Sequence, residues 1–201
     1  MPALTALKPL MLGGATGANL TLAVAESLTS GRLQARIGAI SGASGFFLGG
    51  ITAYTLEQKV LLLGVPRELA APVNCVSKQV ALAMAEGASR LFGAEIALAT
   101  TGYAEPAPAQ KITRPFAWIA LARATAGKTR AHARRVNCPA TLSRAAVQQH
   151  IANAACAMLL DHLRRQARKH TPRADARIPI TSSCARGHLL SHYATTPLFP
   201  Q

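Results

Sequence analysis

The sequence has few aromatic and few acidic residues, and its cysteines lie far apart. Aromatic side chains make up 4% of the 201 residues, and eight Asp and Glu stand against 22 Lys and Arg. The four cysteines form no CxxC pair: Cys75, Cys138, Cys156 and Cys184. This spacing disfavours structural zinc and a disulfide scaffold, so we expect reduced thiols, a cytoplasmic protein, and no metal or cofactor.

Long hydrophobic runs are also missing. A membrane span needs roughly 18 uninterrupted apolar residues, and no stretch supplies them, so we expect no membrane partner. The segment from Leu10 to the small residues 23–25 imitates a secretory signal, but glycines at 13, 14 and 17 interrupt it, so we expect none. Half of the residues are hydrophobic, which excludes disorder for most of the length.

The positive charge is concentrated in one half of the chain. Residues 1–110 carry seven basic and six acidic side chains, whereas 111–201 carry 15 basic and two acidic ones. Such an excess suggests an anionic partner, including nucleic acid. Arg outnumbers Lys 16 to 6, however, as codon bias in a GC-rich genome also produces. The basic half has few aromatics and no nucleic-acid-binding motif, so nucleic acid is disfavoured but stays a hypothesis.

The hydrophobic pattern alternates between strand and helix periods. We predict strands over 20–27, the apolar run that ends at Tyr54, 95–101, 116–122 and 129–136, and an antiparallel hairpin of the last two with its turn at Ala126 and Gly127. We predict helices over 31–40, from Tyr54 to Leu63, over 76–92 with Ser77 as N-cap, and over 142–169. The sequence therefore predicts an α/β fold with a mixed, mostly parallel sheet over residues 1–170, followed by a proline-containing basic tail over 171–201.

Common catalytic signatures are absent. The sequence has no GxSxG, Walker, GxGxxG or HExxH motif. All six histidines lie in the basic half without a carboxylate at a useful spacing, so we interpret them as solvated surface residues. What remains is a concentration of hydroxyl groups and one lysine in 26–59. A serine beside a desolvated lysine is a known hydrolytic pair.

Six short motifs occur in order at natural spacings: AESLTSG at 25–31, GAS at 42–44, ITAY with Lys59, LGV at 63–65, VSKQVALAMAEGA at 76–88 and TTGYAEP at 100–106. Over about residues 20–165, the chain resembles the CinA C-terminal domain family, whose active members are nicotinamide-mononucleotide deamidases. The resemblance implies a three-layer α/β/α sandwich. It also implies hydrolysis of a pyridine nucleotide carboxamide, a small-molecule substrate, by a Ser/Lys dyad.

The resemblance assigns the dyad to Ser27 and Lys59, with Tyr54 orienting the lysine. Lys59 must be neutral to accept the Ser27 proton, which requires its pKa to fall from about 10.4. The amides of residues 28–30 are expected to stabilise the tetrahedral oxyanion. The resemblance implies that the substrate-binding residues are Thr29, Ser44, Thr101 and Gly102. Arg144 is our candidate phosphate contact, because a guanidinium pairs well with a monoester.

The chain departs from the family pattern where glycines are usual. Ser30 and Glu105 replace glycines, APAQKIT replaces a glycine-rich stretch, and NCPATLSR lacks the Gly-Asp-Arg loop before the last helix. Both substitutions put bulk or charge where backbone approaches ligand. An inactive paralogue that binds a nucleotide or acts as an interaction module is therefore an alternative. Assembly into a homo-oligomer is left open.

Overall fold

Five strands form one sheet and six helices pack around it in the part of the chain that the structure describes. The structure is a computed structural model and describes residues 4–13 and 19–170. The strands are β1 Leu22–Glu26, β2 Phe47–Thr52, β3 Ile96–Tyr103, β4 Phe116–Thr125 and β5 Lys128–Asn137. The helices are α1 Leu7–Met11, α2 Arg32–Gly38, α3 Leu56–Leu63, α4 Arg67–Ala70, α5 Lys78–Phe92 and α6 Arg144–His170. None of these helices combines the length and apolarity needed to cross a membrane.

The sheet has the order β2-β1-β3-β4-β5. β1 pairs in parallel with β2 and β3, whereas β3 with β4 and β4 with β5 are antiparallel. The expected mixed α/β sheet is confirmed, and its four pairings divide evenly between the two orientations. Parallel neighbours need a crossover, usually a helix, and no α-helix lies between β3 and β4. The predicted tail over 171–201 lies outside the described residues.

The two faces of the sheet differ in side-chain size. On β3, Ile96 and Leu98 pack into the core formed with α1, α2 and α6. The alternate residues, Ala97 and Ala99, pack into a second core with α3, α4 and α5. Because side chains alternate along a strand, large side chains fill the core on one face of the sheet and small ones fill the core on the other face. The three-layer sandwich follows from helices that cover both faces.

Several predicted boundaries match the structure. The Ser77 hydroxyl accepts a hydrogen bond from the Val80 amide at 3.1 Å, which confirms it as the N-cap of α5. The predicted hairpin turn lies at Ala126 and Gly127, between β4 and β5. The short helix α4 was not predicted, because its four residues are too few to show a helical period.

The register of the parallel strands brings three chain segments to one sheet edge. Glu26, the last residue of β1, pairs with Thr52 on β2 and with Thr100 on β3. Because the carboxyl ends of parallel strands meet at the same edge, the residues that follow all three lie together. The candidate site is built at this edge.

Candidate active site

Ser27 directly follows β1 and is fixed by the neighbouring strand. Its amide donates to the Thr100 carbonyl at 3.0 Å, and its own carbonyl accepts from the Ser30 amide at 3.2 Å. The Thr100 side chain also bonds the Thr29 hydroxyl at 2.7 Å. Ser27 is 9% exposed and lines a pocket. The turn therefore holds one hydroxyl at the pocket floor in a defined position.

Glu26 holds this turn against helix α2. One carboxylate oxygen accepts from the amides of Gly31 and Leu33, both at 3.0 Å, and the other accepts from Gln34 at 2.8 Å. Glu26 is fully buried, so these charge-assisted bonds replace its hydration. Sequence reasoning did not assign this role, although a carboxylate just before a predicted helix is a capping signal. Glu26 is a positioning residue for Ser27.

Lys59 on α3 is buried beside Ser27. The side chain is 1% exposed, and its Nζ lies 3.0 Å from Ser27 Oγ, 2.9 Å from the Ala53 carbonyl and 2.8 Å from the Tyr54 carbonyl. No carboxylate among the described residues bonds this amine. Burial therefore lowers the pKa of Lys59 below its usual value, because the charged form loses its hydration.

These three contacts suit a neutral amine. A neutral Nζ has two N–H groups, which the two carbonyls accept, and one lone pair, which can accept the Ser27 hydroxyl hydrogen. The carbonyls bind only the N–H groups, so they direct the lone pair toward Ser27 Oγ. The arrangement is chemically able to activate a serine nucleophile.

The pocket above the dyad has a volume of about 450 Å³, within the usual range for small-molecule sites. One lysine, one glutamate and one arginine line it: Lys59, Glu105 and Arg144. The remaining lining comes from the residues that follow β1 and β2, the start of α3, the last residues of β3 with the loop after it, and the loop before α5. The pocket is therefore open to a small polar ligand at the edge where parallel strands end.

Tyr54 and Arg144 meet at the mouth of this pocket. Arg144 donates to the Tyr54 hydroxyl at 2.7 Å and to a Glu105 carboxylate oxygen at 2.8 Å. The bond to Glu105 raises the pKa of the Arg144 guanidinium. Tyr54 was expected to orient Lys59, and it does contact Lys59, but through its backbone carbonyl rather than its ring. The Tyr54 phenol instead accepts the bond from Arg144, and about half of the Tyr54 residue is exposed to solvent.

Thr101 and Gly102 line the pocket, as the sequence predicts. Thr101 donates its hydroxyl hydrogen to the Cys75 carbonyl at 2.7 Å, so its side chain anchors the opposite wall. A Cβ at Gly102 would overlap the carbonyl oxygen of Phe116 on β4. Gly102 is therefore required for strand packing as well as for the pocket wall.

Two predicted binding residues lie elsewhere. Thr29 is fully buried, bonds Thr100 and is not part of the pocket lining, so its role is to brace the turn. Ser44 precedes β2, and β2 runs parallel to β1, so Ser44 lies at the sheet edge opposite Ser27. The expected contact of Ser44 with this pocket is not made within one chain. The assignment of Ser44 to the pocket came from the family resemblance and not from its position before the apolar run.

The amides expected to form an oxyanion site are partly occupied. Ser30 donates its amide to the Ser27 carbonyl, whereas the amides of Leu28 and Thr29 have no acceptor within residues 4–13 and 19–170. Ser30 has φ 49°, in the left-handed region, and the following Gly31 has φ 91°. A side chain at position 30 is therefore held where glycine is usual. Of Leu28 and Thr29, only Leu28 lines the pocket, so its amide is the expected donor that is available there.

Cys75 and Asn74 line the pocket and were not predicted to do so. Both have positive φ, 61° for Cys75 and 48° for Asn74, so this loop turns sharply against the site. Burial raises the pKa of the Cys75 thiol, which keeps it protonated. A lone cysteine in a loop carries no spacing signal, which is why sequence reasoning passed over it.

Two arginines of the basic half, residues 111–201, make structural contacts away from this pocket. Arg134 donates to the Ala154 carbonyl at 3.2 Å, and Arg135 lies 3.8 Å from the centre of the Phe116 ring. His162 is half-buried and stacks on His132, so the expectation of solvated histidines is wrong for His162. Burial and the neighbouring cations lower its pKa to about 4. No group of three or more metal-binding side chains occurs among the described residues.

Comparison with known proteins identifies relatives for most of the folded unit. The sequence model of the CinA C-terminal domain matches residues 5–163. A relative from Desulforamulus reducens is 45% identical over 108 residues, which is 54% of this chain and 26% of the relative. A CinA-like protein from Gemmatimonas aurantiaca is 48% identical over 100 residues, 50% of this chain and 23% of that protein. The matches thus span about a quarter of the length of these curated relatives.

Solved structures agree with the fold. The competence damage-inducible protein A from Klebsiella pneumoniae superposes with a TM-score of 0.68 at 28% identity, covering 80% of this chain and 95% of that one. A competence/damage inducible protein from Agrobacterium tumefaciens gives a TM-score of 0.65 at 26% identity, covering 80% and 93%.

Proposed function

Because the chain belongs to the CinA C-terminal domain family, we propose that it hydrolyses the carboxamide of nicotinamide mononucleotide or a related pyridine nucleotide to the acid and ammonia. The observation that carries the proposal is the contact between Lys59 and Ser27 at the floor of a pocket of small-molecule size. Lys59 is buried and has no acidic partner among the described residues, so its neutral form is favoured. A neutral amine in contact with a serine hydroxyl can accept its proton.

In the acylation step, Lys59 Nζ takes the hydroxyl proton while Ser27 Oγ bonds to the carboxamide carbon. The carbonyl oxygen becomes an oxyanion, and the amide of Leu28, which lines the pocket and has no acceptor among the described residues, is the donor available to it. When the intermediate collapses, the C–N bond breaks and Lys59 returns the proton to the leaving nitrogen. Ammonia leaves, and an ester of Ser27 remains.

In the deacylation step, water replaces ammonia. Lys59 accepts a proton from the water as its oxygen bonds to the ester carbon, and the second intermediate collapses with cleavage of the bond to Ser27 Oγ. The proton returns to Ser27, and the carboxylic acid leaves. One amide and one water thus become one acid and one ammonia, with Lys59 restored to its neutral form.

The test is release of ammonia from a panel of pyridine nucleotides by the purified chain, with the acid product identified by chromatography. We expect equimolar acid and ammonia from at least one nucleotide. If no nucleotide yields ammonia, the chain is not an amidohydrolase of this class.

An alternative is an inactive paralogue that binds a nucleotide or acts as an interaction module. The absence of turnover is favoured by Glu105, whose carboxylate pairs with the guanidinium assigned to the substrate's phosphate and so opposes the placement of a nucleotide for reaction. Calorimetric binding of a nucleotide in the absence of any ammonia would select this alternative. Binding accompanied by ammonia release would reject it.

A further inference from the structure

The Arg144 guanidinium is already paired at the pocket mouth. Glu105 accepts one of its N–H groups at 2.8 Å and the Tyr54 hydroxyl accepts another at 2.7 Å. Glu105 directly precedes Pro106, and a residue before proline is restricted to extended backbone conformations. The Glu105 backbone is therefore restricted, and its carboxylate is positioned by the bond to Arg144.

The charges that line the pocket cancel. With Lys59 neutral, as the proposed reaction requires, the remaining charged lining residues are Glu105 and Arg144, one of each sign. A phosphate monoester carries about −1.5 to −2 charges near neutral pH. Arg144 keeps N–H groups beyond the two that Glu105 and Tyr54 accept, but its charge is already paired with Glu105. A phosphate bound beside Arg144 would therefore also meet the Glu105 carboxylate, which repels it.

The length of one tyrosine separates the pair from the dyad, because the Tyr54 carbonyl binds Lys59 and the Tyr54 phenol binds Arg144. In a pyridine nucleotide, the ring and the ribose likewise separate the carboxamide from the phosphate. With the carboxamide at Ser27, Glu105 therefore faces the phosphate end of the substrate.

Resting on the proposed function, we infer that Glu105 is a specificity-determining residue. By holding Arg144 and adding a negative charge, it removes the preference for a phosphorylated substrate. The substrate class that this pocket favours is then the phosphate-free pyridinium riboside, which carries the carboxamide and a net positive charge. The riboside should be hydrolysed at least as efficiently as the corresponding nucleotide.

The experiment compares kcat/KM for nicotinamide riboside and nicotinamide mononucleotide at low ionic strength. The chains are the wild type, Glu105→Gln and the matched control Glu68→Gln, which removes the same charge from an exposed position on α4. We expect the ratio of kcat/KM for the nucleotide to kcat/KM for the riboside to be one or less in the wild type. Glu105→Gln should raise the ratio about tenfold, an effect that salt reduces because the pair is about half exposed, whereas Glu68→Gln should leave it unchanged.

A wild type that prefers the nucleotide by a large factor, or a ratio that does not move in Glu105→Gln, would overturn the inference. Binding of both ligands to Ser27→Ala, measured by calorimetry with and without Glu105→Gln, tests the same discrimination without turnover. If neither ligand is hydrolysed but the affinity ratio shifts with Glu105, the proposed reaction fails and the specificity role stands. If hydrolysis occurs but the affinity ratio does not shift with Glu105, the proposed reaction stands and the specificity role of Glu105 fails.

Discussion

The Nζ of Lys59 lies 3.0 Å from the Oγ of Ser27, although 32 positions separate the two residues in the chain. The two carbonyls that bind the same amine, from Ala53 and Tyr54, follow β2, which pairs with the strand that ends before Ser27. The register of β1 and β2 therefore sets both the distance and the direction of the lone pair. The reaction that we propose depends on this contact and on the neutral state of the amine.

The first prediction concerns the pH dependence of the reaction. Because burial lowers the pKa of Lys59, kcat/KM should rise with pH and level off below about 10.4, the ordinary lysine value. Lys59→Met should lower kcat by about 10³-fold or more, because no other base among the described residues contacts Ser27 Oγ. Lys59→Arg places a guanidinium there that stays charged and cannot accept a proton, so it should be equally inactive. A rate that falls between pH 6 and 9 would contradict a lysine base.

The second prediction concerns stability. The folded-state pKa of Lys59 lies below its unfolded value, so the unfolded chain binds more protons between these two pH values. The free energy of unfolding of the wild type should therefore rise with pH in this window, relative to that of Lys59→Met. Urea unfolding of both chains at several pH values measures the difference. A difference that stays constant up to pH 10 would show that Lys59 is charged in the folded protein.

The third prediction tests Glu26 as a positioning residue. Glu26→Gln replaces one acceptor oxygen by a donor that faces backbone amides, so the free energy of unfolding should fall by about 1.5–3 kcal/mol. Because the same turn carries Ser27, kcat should fall while KM changes little. Glu68→Gln, on the exposed side of α4, is the matched control and should change neither quantity. Loss of stability with an unchanged kcat would show that Glu26 caps helix α2 but does not position Ser27 for the reaction.

The fourth prediction concerns Ser30. Its φ of 49° costs a residue with a Cβ more than it costs glycine, so Ser30→Gly should raise the free energy of unfolding by about 0.5–1 kcal/mol. Ser41→Gly, at an exposed turn position that is not in the left-handed region, should instead lower it slightly. Thermal unfolding of both variants measures the contrast. Destabilisation by Ser30→Gly would mean that the Ser30 side chain itself stabilises the turn.

Sequence patterns predicted the elements that have a clear period, and the family resemblance implied the pairing of Ser27 with Lys59. Local cues were enough for the N-cap at Ser77 and for the hairpin at Gly127. The patterns did not show that Thr29 is buried against Thr100, because that contact joins residues 71 positions apart. The family resemblance assigned Ser44 to the pocket, although Ser44 precedes β2 and therefore lies at the other edge of the sheet.

The pairing of Glu105 with Arg144 could not be predicted either. Position 105 was noted as a charge where glycine is usual, and Arg144 as a possible phosphate contact, but 39 residues separate them. Only the packing of the start of α6 against the loop after β3 brings the two charges together. Long-range charge pairs of this kind leave no local pattern in a single sequence.

The most direct test of the central claim is the rate of ammonia release by the wild type and by Ser27→Ala, measured in parallel with nicotinamide mononucleotide and its riboside. Ser41→Ala, which changes an exposed serine outside the pocket, is the matched control. The account predicts release by the wild type and the control, and a loss of about 10³-fold or more in Ser27→Ala. Equal rates in the wild type and Ser27→Ala would contradict it.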